Sequence, residues 1–156
     1  MNKRIVWRGW KFYVALTRMR PVVGVNSILP DEQHFLMWDF DAKSLQQVTT
    51  ALECQSAIWK LPPIHLVRSS SETNYHAYCF DAVSFERAAA IIGGTPCVDR
   101  MYQALALVRK YWTLRITDYP SAPFQPIGII KGYRSPTVDH HKLDARLVQY
   151  LTAHSE

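Results

Sequence analysis

The sequence predicts an α+β fold: a ferredoxin- or RRM-like βαββαβ antiparallel sheet with helices on one face and elaborations at both termini. Three observations predict it. Short apolar or alternating runs recur at residues 34–41, 64–68, 74–80 and 111–118, the pattern of strands. Segments with helical spacing of apolar residues, opened by capping serines, separate the first run from the second and the third from the fourth. Only the polar stretch Ser69-Ser70-Ser71-Glu72-Thr73 joins the second run to the third, so those two form a hairpin.

Residues 1–20 are rich in aromatic and basic side chains (Trp7, Arg8, Trp10, Lys11, Phe12, Tyr13, Arg18, Arg20). Apolar positions at 6, 10, 13, 14 and 16 fit a helix loosely and leave a strand open. Residues 21–30 read as a loop, opened by Pro-Val-Val-Gly and closed by Leu-Pro-Asp. The run HFLMWDFD at 34–41 is apolar until it ends in acid, as a buried strand does. Ser44 caps a helix from 45 to about 55, with Leu45, Val48 and Leu52 on one face. Pro62-Pro63 breaks the chain before the strand IHLVR, and NYHAYCF returns as the second arm of the hairpin. Ser84 caps a helix over 85–92 that Gly93-Gly94 terminates, and a second helical stretch covers 98–109. YWTLRITD at 111–118 supplies the fourth strand, and Pro120 stops it. Beyond it lie a Pro- and Gly-punctuated segment and a closing helix over about 140–153. The 156 residues fit one domain, with its core at about 34–120 and the tail at 121–156.

Composition narrows the function classes. A formal charge of +5 and a pI of about 9.2 favour an anionic partner, of which nucleic acid is the commonest. Three cysteines without CxxC spacing argue against a disulfide framework and against a cysteine-built zinc site. No run approaches the roughly 18 uninterrupted apolar residues of a membrane span. Arg8, Lys11, Arg18 and Arg20 interrupt any signal-peptide core after the basic start. The expectation is a soluble, cytoplasmic protein with no membrane partner.

Asp39 and Asp41 are the most informative residues. At i and i+2 of a strand they project to one face. Two adjacent carboxylates at the end of an apolar strand repel each other unless a cation lies between them. Mg²⁺ and Mn²⁺ take carboxylate oxygens of this sort. The plainer alternative is a solvated strand end entering a turn. His76 lies on a strand expected to neighbour the first, so it can face the same site and donate to a phosphate. Asp118 closes the fourth strand and can act as a third carboxylate, or can start the Asp-Tyr-Pro turn. Arg115 can contact phosphate, although pleat parity sets it on the face opposite Asp118. Asp99, on the preceding helix, competes with Asp118 for the third place.

Taken in order, these motifs resemble the archaeo-eukaryotic primase superfamily, the primase-polymerases, in its plasmid and phage forms. Phe35-Leu36-Met37-Trp38-Asp39-Phe40-Asp41 is similar to the first motif, Asn74-Tyr75-His76 to the second, and Leu114-Arg115-Ile116-Thr117-Asp118 to the third. The stretch from Arg68 to Tyr78 resembles the second-motif hairpin of that family, with Asn74 where serine is more usual. The resemblance implies a nucleotidyltransferase, a DNA primase or polymerase, that joins nucleoside triphosphates on a single-stranded DNA template with Mg²⁺ or Mn²⁺. It implies Asp39, Asp41 and Asp118 as catalytic metal ligands. It implies His76 at the phosphates of the incoming nucleotide, assisted by Arg68, Ser69, Ser70, Asn74 or Arg115. A bacterial or archaeal host cell and a helicase or other replication protein as partner fit so compact a core, which lacks a zinc element and a helical accessory domain.

Three alternatives accompany this reading. An RRM-like sheet can stack bases on Trp38, Tyr75, Tyr78 and Trp112 without catalysis, although paired acids on that face repel phosphate. A rolling-circle replication endonuclease would need a paired-histidine metal motif and a nucleophilic tyrosine. For that role only His65, His76, the Asp139-His140-His141 stretch and Tyr102 are available. An inactive primase-like protein could serve as a replication accessory or inhibitor.

Overall fold

The computed structural model describes residues 2–7, 10–15, 23–116 and 124–138 together with Leu143 and Leu147, with backbone alone at 2–7 and 10–15. The architecture is α+β. A four-stranded antiparallel sheet has the order β4(His34–Phe40), β6(Tyr75–Val83), β5(Ile64–Arg68), β8(Gln125–Ile130). Two ribbons accompany it: β1(Asn2–Trp7) with β2(Trp10–Ala15), and β3(Gly24–Asn26) with β7(Thr113–Arg115). Three helices, α1(Leu45–Trp59), α2(Phe85–Gly93) and α3(Arg100–Arg109), complete the described elements.

Local chemistry sets the element ends. Ser44 and Gln47 form a reciprocal capping box at the start of α1, and left-handed Lys60 ends it. Pro62 and Pro63 then separate α1 from β5, and a Cβ at Gly132 would overlap this Pro62–Pro63 peptide. The chain can cross there only because residue 132 is glycine. Ser84 and Asp99 accept N–H bonds from Arg87 and Tyr102 at the starts of α2 and α3.

The central strands are buried on both faces. Register places Leu36, Trp38 and Phe40 with Cys79, Ala77 and Tyr75 on one face. The Trp38 indole donates to Thr95 Oγ1 at 2.9 Å, just beyond α2, and Gln55 of α1 donates to Gly94 O at 2.9 Å. Both helices therefore cover this face. Phe35, Met37, Tyr78, Phe80 and Val67 occupy the other face and are also buried, in one apolar core with Phe124, Val138, Leu143 and Leu147.

Several sequence expectations hold: β4, β5, β6 and the cores of α1 and α2 lie where the residue pattern puts them. Others are corrected. The strand expected over 111–118 is three residues long and pairs with β3, not with β4. The reason is that the outer edge of β4 is already occupied. Phe35 N–H donates to Ser27 O at 3.0 Å, Asp99 N–H to Asp39 O at 2.9 Å, and the Tyr102 hydroxyl to Met37 O at 3.1 Å. Helix α3 and the Ser27 segment thus cover this edge, a common way to protect a strand from unwanted pairing. Helix α3 consequently flanks an edge, whereas α1 and α2 lie on one face as expected. The fourth strand of the main sheet is instead β8, drawn from the Pro- and Gly-containing tail and placed beside β5. The N-terminal segment is two strands, the loop at 21–30 contains β3, and of the closing helix only Leu143 and Leu147 belong to the described residues.

Candidate acidic site at the end of strand β4

The sheet brings Asp39 and His76 face to face. They are direct partners in the β4–β6 ladder, with His76 Nε2 3.6 Å from Asp39 Oδ1. That separation is longer than a hydrogen bond. His76 is almost fully buried, and burial together with the nearby Arg115 guanidinium pushes its pKa down to about 3. The imidazole is therefore neutral at physiological pH, and its contact with Asp39 is not an ion pair. The Tyr78 hydroxyl lies 3.4 Å from His76 Nδ1, and the Phe124 ring meets the imidazole edge-on.

Asp39 is the most perturbed carboxyl group of the site. Burial, then the carboxylates of Asp41 and Asp99, raise its pKa to about 7, against smaller opposing effects of the Phe40 backbone and Arg115. Asp41, one residue past the end of β4, is also raised, by burial and by Asp99. The structure thus gathers three mutually repelling carboxylates, and the third described one is Asp99. Its side chain accepts the Tyr102 N–H at 2.6 Å as the cap of α3, while its own N–H holds the Asp39 carbonyl. Asp118 lies outside the described residues.

The remaining expected site residues are placed as follows. Arg115 Nη2 donates to Ser69 O at 2.9 Å, tying β7 to the β5–β6 turn. Ser69 is buried and its N–H closes that turn on Asn74 O. Asn74 donates to Ser70 Oγ at 3.0 Å and accepts the Ala42 N–H at 3.1 Å, while Lys43 N–H donates to Thr73 O. Asn74 and Ser70 therefore anchor the loop that carries Asp41. Arg68 is the residue the sheet does not bring in: its register partner is Tyr75, which places it on the face opposite His76, and it reaches toward Gln125. Phe124 and Tyr78 join the site without having been singled out for it. Tyr78 was legible through its i+2 relation to His76, but nothing local marks Phe124.

These placements weaken two of the alternatives. Trp38, Tyr75, Tyr78 and Trp112 are all buried, at 0%, 2%, 0% and 2% exposure, so no base can stack on them without unpacking the core. Tyr102 is buried, its hydroxyl is bonded to Met37 O, and burial followed by Asp39 and Tyr78 raises its pKa well above the usual value. A tyrosine held this way is a poor nucleophile.

Asp39, Asp41 and Asp99 offer the hard oxygen donors that Mg²⁺ or Mn²⁺ takes, and a divalent cation would relieve the repulsion that raises Asp39. Among the described residues, no three His, Cys, Asp or Glu side chains converge closely enough to hold a metal together. Asp39 with Asp41 is thus a partial ligand set of the right chemical type. Among the described residues no helix is long and apolar enough to cross a membrane. No protein-family model matches the chain, and no curated protein matches it.

Proposed function

We propose that the chain is a metal-dependent nucleotidyltransferase of the primase–polymerase kind, acting on nucleoside triphosphates along a single-stranded DNA template. The observation that carries this reading is the pairing of Asp39 with His76 across the β4–β6 ladder, beside Asp41. Asp39 and Asp41 would hold Mg²⁺ or Mn²⁺, with Asp118 as the third ligand. The metal would supply charge neutralisation at the phosphates and a lowered pKa for the attacking hydroxyl. The neutral imidazole of His76 and the cation of Arg115 would bind the triphosphate, and Asn74 with Ser70 would hold the Asp41 loop in place. In this reading the β4–β6–β5 order is the remnant of a ferredoxin-like βαββαβ sheet whose last strand has given way to α3 and β7. Work in the cytoplasm beside a helicase or other replication protein would suit so small a core.

Purified protein given Mn²⁺ or Mg²⁺, a single-stranded template and labelled nucleotides is expected to make labelled oligonucleotides. Asp39→Ala with Asp41→Ala should abolish this synthesis while the variant retains its circular dichroism. Synthesis undiminished in that double variant would sink the site assignment.

A further inference from the structure

Helix α3 is apolar on the side that faces solvent as well as on the side that faces the core. Tyr102 and Ala106 are buried, and the Tyr102 hydroxyl donates to Met37 O. Met101, Leu105, Leu107 and Val108, by contrast, are 66%, 42%, 54% and 82% exposed. Met101, Ala104, Leu105 and Val108 stand at i, i+3, i+4 and i+7, so they form one stripe along the helix, turned away from Tyr102 and Ala106. A single exposed leucine needs no explanation, but a continuous stripe marks a surface for contact. A helix that is apolar all round belongs in an interior.

Charge frames the stripe. Arg100 and Arg109 stand at its two ends, both exposed, and neither has an ion-pair partner among the described residues. Helix α3 carries no acidic residue, and Asp99 before it is engaged as the cap by the Tyr102 N–H. On the flank of Leu107 a cleft of about 40 Å³ opens between α2 and α3, lined by Ala89, Ile92, Gly93, Gln103, Leu107 and Trp112. One water needs roughly 10–15 Å³, so a small side-chain group can enter this cleft.

We propose that the outer face of α3 docks an acidic amphipathic helix of a partner protein. The partner's apolar residues lie on Met101, Leu105 and Val108, and its carboxylates meet Arg100 and Arg109. Recognition of one helix by another uses anchors at this spacing. A second copy of the chain fits less well. Antiparallel pairing of two α3 helices would set Met101 against Val108, but it would also set Arg100 against Arg109, and like charges would meet at both ends. Ten residues of helix span about 15 Å, so a strip about 10 Å wide covers roughly 150 Å². A stable dimer needs roughly 800 Å² per partner, so this face suits a transient contact. The chain's own closing segment already buries Leu143 and Leu147 in the main core. A bilayer would meet the same charges, but the stripe holds no aromatic residue of the kind that anchors interfacial helices. The inference is independent of the nucleotidyl-transfer reading.

The test uses the full chain and two fluorescein-labelled helical peptides, each with leucine at i, i+3, i+4 and i+7. One is flanked by glutamates and the other by lysines. Anisotropy titration is expected to show saturable, salt-sensitive binding of the glutamate peptide and none of the lysine peptide. Met101→Gln with Val108→Gln should weaken binding by about tenfold or more. Arg100→Gln with Arg109→Gln should weaken it by about fivefold and flatten its salt dependence. Ile58→Gln, at an exposed position on α1, should leave it unchanged. Should a double variant fail to fold, the contrast between the two peptides on the wild type decides. Equal binding of the two peptides, or no binding of the glutamate peptide at millimolar protein, overturns the proposal. So does undiminished binding in a folded Met101→Gln, Val108→Gln variant. A wild-type dimer that this double variant dissociates would assign the stripe to a second copy. Binding to phosphatidylglycerol vesicles that the same variant loses would assign it to a lipid surface. Either result also overturns the proposal.

Discussion

Asp39→Asn is expected to stabilise the protein above pH 7 while eliminating nucleotide incorporation. An aspartate whose pKa is raised from 3.8 to about 7 on folding holds a proton in the native state that the unfolded chain has already released. Stability from this group is therefore full below about pH 4 and is lost as pH rises through 7. A tenfold change in proton affinity is worth roughly 1.4 kcal/mol, so the ionised form at pH 8 costs about 2–4 kcal/mol. Asparagine has nearly the same shape and no charge to desolvate, so the cost disappears. His76 works in the opposite sense. Its pKa falls from 6.5 to about 3 on folding, so the stability it contributes is complete above pH 6.5 and is lost as pH falls toward 3.

Between about pH 4 and 6.5 these two slopes oppose each other and nearly cancel in the wild type. Removing either residue exposes the other. Denaturant melts of Asp39→Asn should show stability rising with pH across that window, and His76→Gln should show it falling. Asp41 adds to the slope of Asp39, and His34, lowered by burial, adds to that of His76, in wild type and variants alike. A destabilised Asp39→Asn at pH 8 would mean that the carboxylate is stabilised by something other than the surroundings described above.

Arg134→Met is expected to destabilise the fold by about 2–3 kcal/mol: it leaves the buried Asp81 carboxylate without its cation, and the partial exposure of the Arg134 side chain keeps the loss below that of a fully buried pair. Asp81 is 1% exposed on β6 and is engaged by the Arg134 guanidinium and, at 2.9 Å, by the Thr137 hydroxyl. Arg134 also donates to Lys60 O at 3.0 Å, and Thr137 Oγ1 accepts the Ala82 N–H at 2.8 Å. This cluster lashes the segment after β8 across β6 and the end of α1. Without Arg134 the charge of Asp81 stays buried with only a hydroxyl for company. Pairing Arg134→Met with Asp81→Asn should recover much of the loss, because no charge then remains to desolvate. Equilibrium urea unfolding of the single and double variants measures both effects. A single variant within about 1 kcal/mol of wild type would show that the pair contributes little.

The parts of the fold legible in the sequence are those whose signals are local. The apolar run of β4, the Ser44 cap of α1, the Pro62-Pro63 break and the polar turn before Tyr75 each act within a few residues. The parts that were not legible depend on what lies next to them in space. Strand β8 contains Pro126 and Gly128, which read as loop residues, yet it is an edge strand and Pro126 sits at a register shift opposite Val67. An edge or a bulge is where a sheet tolerates proline. The alternation of Thr113 and Arg115 is that of a strand, but no sequence signal shows that α3 already covers the edge of β4 where such a strand would pair. The same placement brings Asp99 beside Asp39 and Asp41. The sequence offers Asp99 as a rival to Asp118 for the third carboxylate, and the course of α3 sets it close enough to raise the pKa of both Asp39 and Asp41.

Everything proposed for the acidic site depends on Asp39 and Asp41 together binding a divalent cation. Calorimetric titration of Mn²⁺ into the wild-type protein at pH 8, repeated on Asp39→Asn with Asp41→Asn, tests this directly. Saturable binding is expected in the wild type, and the double variant should lose it while remaining folded. Identical binding curves for the two proteins, or no heat of binding in the wild type, would contradict a metal site at these two carboxylates.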